Sequence, residues 1–130
     1  MGHADHRLTR CFAPEPHAVT AARRASQDVA EQLEPARWRR LGLLVSELVS
    51  DSVRHLGGDH GGWIRLDISW SDRSIRVEVT SPDTRFAGPR GLVSLQPGGS
   101  WSLVVIDALS DAWGFGDGSE TSIWFELFRA

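Results

Sequence analysis

Residues 35–58 read PARWRRLGLLVSELVSDSVRHLGG and carry the most regular pattern of the chain. Pro35 suits the first turn of a helix, and the pair Gly57 and Gly58 suits its end. Between them, small or apolar residues recur with the i, i+3, i+4, i+7 spacing of an amphipathic helix: Leu41, Leu44, Val45, Leu48, Val49 and Ser52. The stretch therefore predicts a long helix from Pro35 to His55 with one face against a core.

Shorter patterns on both sides of this helix indicate an α+β protein. Alternation of apolar and polar residues predicts strands, and apolar residues at helical spacing predict further helices. The predicted strands are 7–13, 63–70, 75–79, 112–115 and 121–128, and the other predicted helices are 18–33 and 101–110. This order predicts a two-layer α+β sandwich, in which about three helices cover one face of a mixed, mostly antiparallel sheet.

Length and composition limit the classes of protein to consider. The 130 residues suit a single domain, 1–130, and the formal net charge of −3 argues against direct binding of nucleic acid. Cys11 is the one cysteine, so no internal disulfide can form. With no apolar run long enough to span a bilayer and no leader pattern, we expect a cytoplasmic protein that does not contact membranes.

A glycine- and proline-rich interval, 82–100, separates the second hairpin strand from the last helix. Such long intervals within one domain are uncommon and are usually a lid, a binding loop or a disordered segment. The interval is therefore the first indication of a function in the sequence.

Three polar residues stand four positions apart on the long helix: Glu47, Asp51 and His55. This spacing aligns them along one side, at or beside the apolar stripe. One interpretation is a magnesium-phosphate site, because carboxylate oxygens hold magnesium together with phosphates and waters. The other is that Asp51 and His55 bond each other and the sheet.

Small and polar residues mark two further places. Gly98, Gly99, Ser100 and Ser102 lead into the last helix, where free N–H groups could bind an anion or merely cap the helix. Ser81 and Asp83 follow the strand 75–79, and Ser122 lies in the final strand. Asp83 could be an ordinary turn residue and Ser122 an ordinary strand hydroxyl.

The run SELVSDSVRH, residues 46–55, resembles the first nucleotide-binding motif of the Bergerat-type ATP-binding fold of histidine kinases, gyrase and MutL. It is most similar to the anti-sigma-factor serine kinases, whose usual run is Ser-Glu-Leu-Val-Thr-Asn-Ala-Val-Arg-His. The likeness continues through 21–24, 77–82, 108–114 and 123–127. The resemblance implies the same α/β sandwich, with ATP and Mg²⁺ bound beneath a lid at 82–100.

The resemblance also assigns roles to residues of the first motif and the hairpin. Glu47 occupies the place of the general base. Asp51 stands where the family has the asparagine that holds magnesium, and His55 ends the same motif and is expected to line the nucleotide pocket. Ser81 replaces the aspartate that accepts the adenine amino group, although Asp83 is near enough in sequence to stand in.

The second glycine motif departs from the family pattern. The family's Gly-x-Gly-Leu corresponds to Ser100, Trp101, Ser102 and Leu103, so both glycines are replaced. Gly98 and Gly99 could supply the same backbone freedom slightly earlier. Ser122 corresponds to the hydroxyl residue of the family's last strand.

These assignments leave three functions open. The first is a regulatory serine/threonine kinase that binds ATP and magnesium and phosphorylates a serine of an anti-sigma-factor antagonist. The second is an inactive pseudo-kinase that regulates a sigma factor or an antagonist by binding alone, which the altered Ser81 and Ser102 favour. The third is a pocket adapted to another small ligand. A homodimer is a further expectation from the family.

Overall fold

The computed structural model describes residues 6–31, 33–56, 62–82, 101–116 and 120–129, and only the backbone of residues 101 and 102. Residues 83–100 of the predicted lid, which include the candidates Asp83, Gly98, Gly99 and Ser100, lie outside the described residues. The elements follow in the order β1 (His6–Phe12), α1 (His17–Val29), α2 (Pro35–Leu56), β2 (Ile64–Trp70), β3 (Ser74–Ser81), α3 (Trp101–Leu109), β4 (Ala112–Phe115) and β5 (Thr121–Phe128).

The described strands form one sheet in the order β1-β2-β3-β5-β4. Each neighbouring pair of these strands is antiparallel, where a partly parallel sheet was expected. The reason is visible at β1 and β2, because α1 and α2 carry the chain away and back, so that β2 starts opposite the end of β1 (Phe12 pairs with Ile64). The prediction of a two-layer α+β sandwich is confirmed.

The core lies between the sheet and the layer of helices. Alternate residues of the central strands point into it, as the two-residue period of a strand requires. On β2 these are Ile64, Leu66 and Ile68, and on β5 they are Ile123, Phe125 and Leu127, all buried. The buried face of α2 meets them with Leu41, Leu44, Val45, Leu48 and Val49. The pattern that predicted α2 is thus the pattern of its contact with the sheet.

Two element boundaries differ from the prediction by more than one residue. Helix α1 ends at Val29, where 18–33 was predicted, because the N–H of Ala30 turns back to the carbonyl oxygen of Gln27. Strand β3 extends to Ser81, where 75–79 was predicted, because its last residues pair with β5 up to Thr121. None of the helices in the described ranges is both long and apolar enough to cross a bilayer.

A reciprocal pair of hydrogen bonds joins α1 to the start of α2. The side-chain amide of Gln27 donates to the carbonyl oxygen of Trp38 at 3.2 Å, and the indole N–H of Trp38 donates to the carbonyl oxygen of Gln27 at 3.0 Å. The buried Gly42 makes room for this contact, since a Cβ there would lie 2.3 Å from Gln27 Nε2. The absence of a side chain at Gly42 thus allows the hydrogen bonds between Gln27 of α1 and Trp38 of α2.

The variant Gln27→Ala should lower the free energy of unfolding by about 1 kcal/mol, because one part-buried hydrogen bond is lost. The variant Gly42→Ala displaces the same amide, but alanine is favoured over glycine inside a helix by about 1 kcal/mol, so we expect a nearly neutral change. Urea unfolding of both variants measures the two values. A loss above about 2 kcal/mol for Gly42→Ala would mean that the helices themselves must separate.

Candidate functional site

Helix α2 has a fixed direction relative to the sheet. Near its start, Arg37 Nη1 lies 2.6 Å from the carbonyl oxygen of Phe128, the last residue of β5. The same guanidinium lies 3.4 Å from Asp111, two residues after α3 ends, and Asp111 also accepts the N–H of Phe128 at 2.8 Å. Because α2 packs over β3 and β5, its second half lies toward the opposite end of those strands.

That opposite end brings together the end of β3, the beginning of β5 and the last turns of α2. Helix α3 packs against α2 and finishes at the Phe128 end, so α3 begins on the same side as Ser81 and Thr121. We call this region the α3-entry end and define it by Asp51, Ser81, Thr121 and the first residue of α3. The motifs found separately in the sequence therefore converge on one end of the sandwich.

Ser81 points from the sheet toward the helices. It continues the alternation of Ile75, Val77 and Val79, all of which lie in the core, and its residue is 1% exposed. Among the described residues, its Oγ has no hydrogen-bond partner. A buried hydroxyl without a partner is costly, so Ser81 is suited to a ligand that supplies one.

Thr121 is a site residue that the sequence analysis missed. It pairs directly with Ser81 across β3 and β5, and residues opposite each other in an antiparallel pair share a face. Its residue is 3% exposed. The signal was present in the alternation Thr121, Ile123, Phe125, but assigning it to the site required the register between two strands distant in sequence.

Asp51 is a buried acid on the inner side of α2, with a side chain 3% exposed. Its Oδ1 accepts a hydrogen bond from Arg54 Nη2 at 3.0 Å, and the Arg54 side chain is 58% exposed. The helix thus holds a carboxylate inside the protein while the partnering cation stays largely in water.

Glu47 and His55 lie one turn before and one turn after Asp51. Glu47 is half-buried, whereas the side chain of His55 is 45% exposed. His55 Nδ1 lies 2.9 Å from the carbonyl oxygen of Asp51 and 3.7 Å from Asp51 Oδ1. His55 therefore lies at the edge of the buried stripe, and its 2.9 Å contact is with the backbone carbonyl of Asp51 and not with the carboxylate.

Ser122 lies on the other face of the sheet, which differs from the expectation that it lines the pocket. It pairs with Thr80, accepts a hydrogen bond from the Thr80 hydroxyl at 3.3 Å and donates to the carboxylate of Glu78. Gly116 packs so closely over it that a Cβ there would lie 2.7 Å from the Ser122 Cβ. Alternation along β5 therefore directs Thr121, and not Ser122, toward α2 and α3.

The side chains of the remaining predicted residues lie outside the described part of the chain. For Ser102 only the backbone is described, in the first turn of α3, and Asp83, Gly98, Gly99 and Ser100 fall outside the described ranges. An open cavity of about 540 Å³ lies at the Phe128 end, bounded by Ser71, Arg73, Glu126, Phe128 and Arg129. It is separated from the α3-entry end by the length of β5.

Comparison with known proteins gives the family of the chain. The model of the histidine kinase-like ATPase domain family matches residues 12–126, which is most of the chain. The chain belongs to this family. No curated protein sequence matches the chain significantly.

The described residues fit a nucleotide with its magnesium ion. The buried hydroxyl of Ser81 offers a hydrogen bond to a base, and the carboxylate of Asp51 offers the hard oxygen that magnesium takes. Within the described ranges, no group of three or more potential ligating side chains forms a metal site from protein atoms alone. Magnesium keeps several waters and is commonly held by one or two carboxylates together with phosphates.

Proposed function

We propose that this histidine kinase-like ATPase domain binds ATP with Mg²⁺ at the α3-entry end and acts as a regulator of the anti-sigma-factor serine kinase type. The supporting observation is the buried carboxylate of Asp51 at the same end of the sandwich as the unpartnered hydroxyl of Ser81. Neither group is needed to build the apolar core. Both are the kinds of group that bind a charged, hydrogen-bonding ligand.

Each residue has a chemical role in this proposal. Ser81 and Thr121 meet the base, and Asp51 would hold magnesium, which when bound neutralises charge on the phosphates. The first turn of α3 presents backbone N–H groups and the positive end of the helix dipole toward the phosphates. Glu47, one turn before Asp51, accepts the proton of the incoming serine hydroxyl.

The proposed substrate is a serine of an anti-sigma-factor antagonist. As its hydroxyl oxygen forms a bond to the γ-phosphorus, the bond to the β-phosphate oxygen breaks and ADP leaves. Glu47 takes the hydroxyl proton. We also propose a cytoplasmic location, a sigma factor as a second partner and a homodimer as the working form, all by analogy with the kinases that the sequence resembles.

Two features favour a second function, a pseudo-kinase that regulates its partner by binding alone. Asp51 Oδ1 already accepts a hydrogen bond from Arg54, so magnesium must share this carboxylate with a guanidinium. The altered Ser81 also removes a charged acceptor from the site. These two features weaken nucleotide binding without disturbing the sandwich.

Calorimetric titration with magnesium ATP, followed by a phosphotransfer assay on an antagonist protein, tests the proposal. Glu47→Gln should retain ATP binding and lose at least about a hundredfold in phosphotransfer rate, since general-base catalysis contributes about 10²- to 10⁴-fold. Ser122→Ala is the matched control, and we expect unchanged affinity and rate because Ser122 lies on the other face of the sheet. ATP binding without phosphotransfer in the unmodified protein would support the pseudo-kinase, and absence of binding would contradict both.

A further inference from the structure

The hydroxyl of Ser81 is the clearest unused binding group in the described part of the chain. Its Oγ is buried, has no hydrogen-bond partner among the described residues, and points to the helix side of the sheet at the α3-entry end. A ligand that fills this end must therefore supply a donor or an acceptor to it. Which ligand group fits there depends on the hydrogen bonds that a serine hydroxyl can make.

A serine hydroxyl can both donate and accept a hydrogen bond, and its hydrogen rotates to suit the partner. An ionised carboxylate only accepts. A carboxylate at this position therefore selects a base with an amino group, because a carbonyl oxygen in the same place leaves two acceptors facing each other. A hydroxyl meets an amino group or a carbonyl oxygen equally well.

The strands around Ser81 supply no carboxylate that would select a base with an amino group. Its cross-strand neighbour Thr121 also carries a hydroxyl, so the pair of side chains that ends β3 and begins β5 on this face is uncharged. Glu78, three positions before Ser81 on β3, lies on the opposite face of the sheet together with Thr80 and Ser122. No carboxylate of β3 or β5 thus reaches the ligand side at this end of the described strands.

We propose that the nucleotide site accepts both 6-amino and 6-oxo purine nucleoside triphosphates, with Ser81 accepting from the amino group of one and donating to the carbonyl oxygen of the other. This inference rests on the proposed function, since it assumes that a nucleotide base meets Ser81. It adds the substrate class, which is purine nucleoside triphosphates with either an amino group or an oxygen at position 6 of the purine ring.

Calorimetry with the full chain and the magnesium complexes of ATP, inosine triphosphate and UTP tests this inference. Inosine triphosphate differs from ATP at position 6 of the purine, where an oxygen replaces the amino group, and at N1, which becomes a hydrogen-bond donor. The ratio of their dissociation constants therefore reports on this edge of the base, and the Ser81 variants below assign it to Ser81. For the unmodified protein we expect the dissociation constants of ATP and inosine triphosphate to agree within about fivefold, because each base makes one neutral hydrogen bond with Ser81. We expect UTP to bind at least about tenfold more weakly than either purine. This measurement requires no variant.

Variants then assign the effect to Ser81. Ser81→Asp should change the ratio in favour of ATP by at least about a hundredfold, since a site built for one hydrogen-bond pattern strongly rejects the other. Ser81→Ala should weaken both purines to a similar extent and keep their ratio. Thr80→Val, next to Ser81 but on the opposite face, is the matched control and should leave both affinities unchanged.

The outcomes separate this inference from the proposed function. If the unmodified protein binds ATP and rejects inosine triphosphate by more than about thirtyfold, the inference is wrong and the proposed function stands. If UTP binds as tightly as both purines, the site does not select purines and the inference is also wrong. If no triphosphate binds, the proposed function itself fails.

Discussion

Replacing Ser81 with aspartate and Ser102 with glycine should raise the affinity for magnesium ATP by more than about tenfold, because a hydrogen bond to a charged group contributes about 1.5 to 3 kcal/mol. Aspartate restores a charged acceptor for the adenine amino group at the end of β3. Glycine restores backbone freedom where α3 begins and the chain approaches the phosphates. Without nucleotide, the variant should melt at a lower temperature, since its new carboxylate is buried at a position 1% exposed.

Calorimetry of the unmodified protein and the double variant measures this gain. The melting temperature with saturating nucleotide gives a second measurement, because a ligand at a hundredfold excess over its dissociation constant stabilises the folded state by about 2.7 kcal/mol. Thr80→Val serves as the control for a change at the same end of β3. A double variant that folds but binds ATP no better than the unmodified protein would show that the pocket is blocked or rebuilt.

Replacing Asp51 with alanine should weaken magnesium ATP by at least about tenfold while changing the free energy of unfolding by less than about 1 kcal/mol. The affinity falls because the carboxylate that would hold the metal is removed. Stability changes little because Arg54, the cation left behind, is 58% exposed and returns to water. When both partners of an ion pair are buried, removing one of them lowers stability strongly, because the remaining charge is left buried without a partner or water.

Denaturant unfolding and calorimetry of the same variant distinguish the two roles of Asp51. A loss above about 3 kcal/mol in the free energy of unfolding would identify a structural role for the carboxylate. Asp51→Asn is the matched control, because it keeps an oxygen ligand and removes a negative charge beside the phosphates. We expect Asp51→Asn to bind magnesium ATP at least as tightly as the unmodified protein, as the kinases with asparagine at this place suggest.

The sequence by itself determined the elements and the class of fold. The period of 3.6 residues in α2 and of two residues in β2 and β5 required one buried face on each element, and burial of those faces against each other gives the sandwich. The ranges 112–115 and 121–128 were predicted to the residue. The motif at 46–55 also located Asp51 on the inner side of its helix, because a polar residue within an apolar stripe stands out in the sequence.

The tertiary structure alone decided which residues of the strands belong to the site. Ser122 and Thr121 are adjacent hydroxyl residues, and a shift of one position in register exchanges the faces of a strand. Pairing of Ser81 with Thr121 directs Thr121 toward the helices and leaves Ser122 with Glu78 on the other face. The direction of α2, fixed by Arg37 at Phe128, likewise decided that Asp51 and Ser81 share one end of the sandwich. Such contacts join residues far apart in sequence, and a local pattern records which face of an element is buried but not which partner covers it.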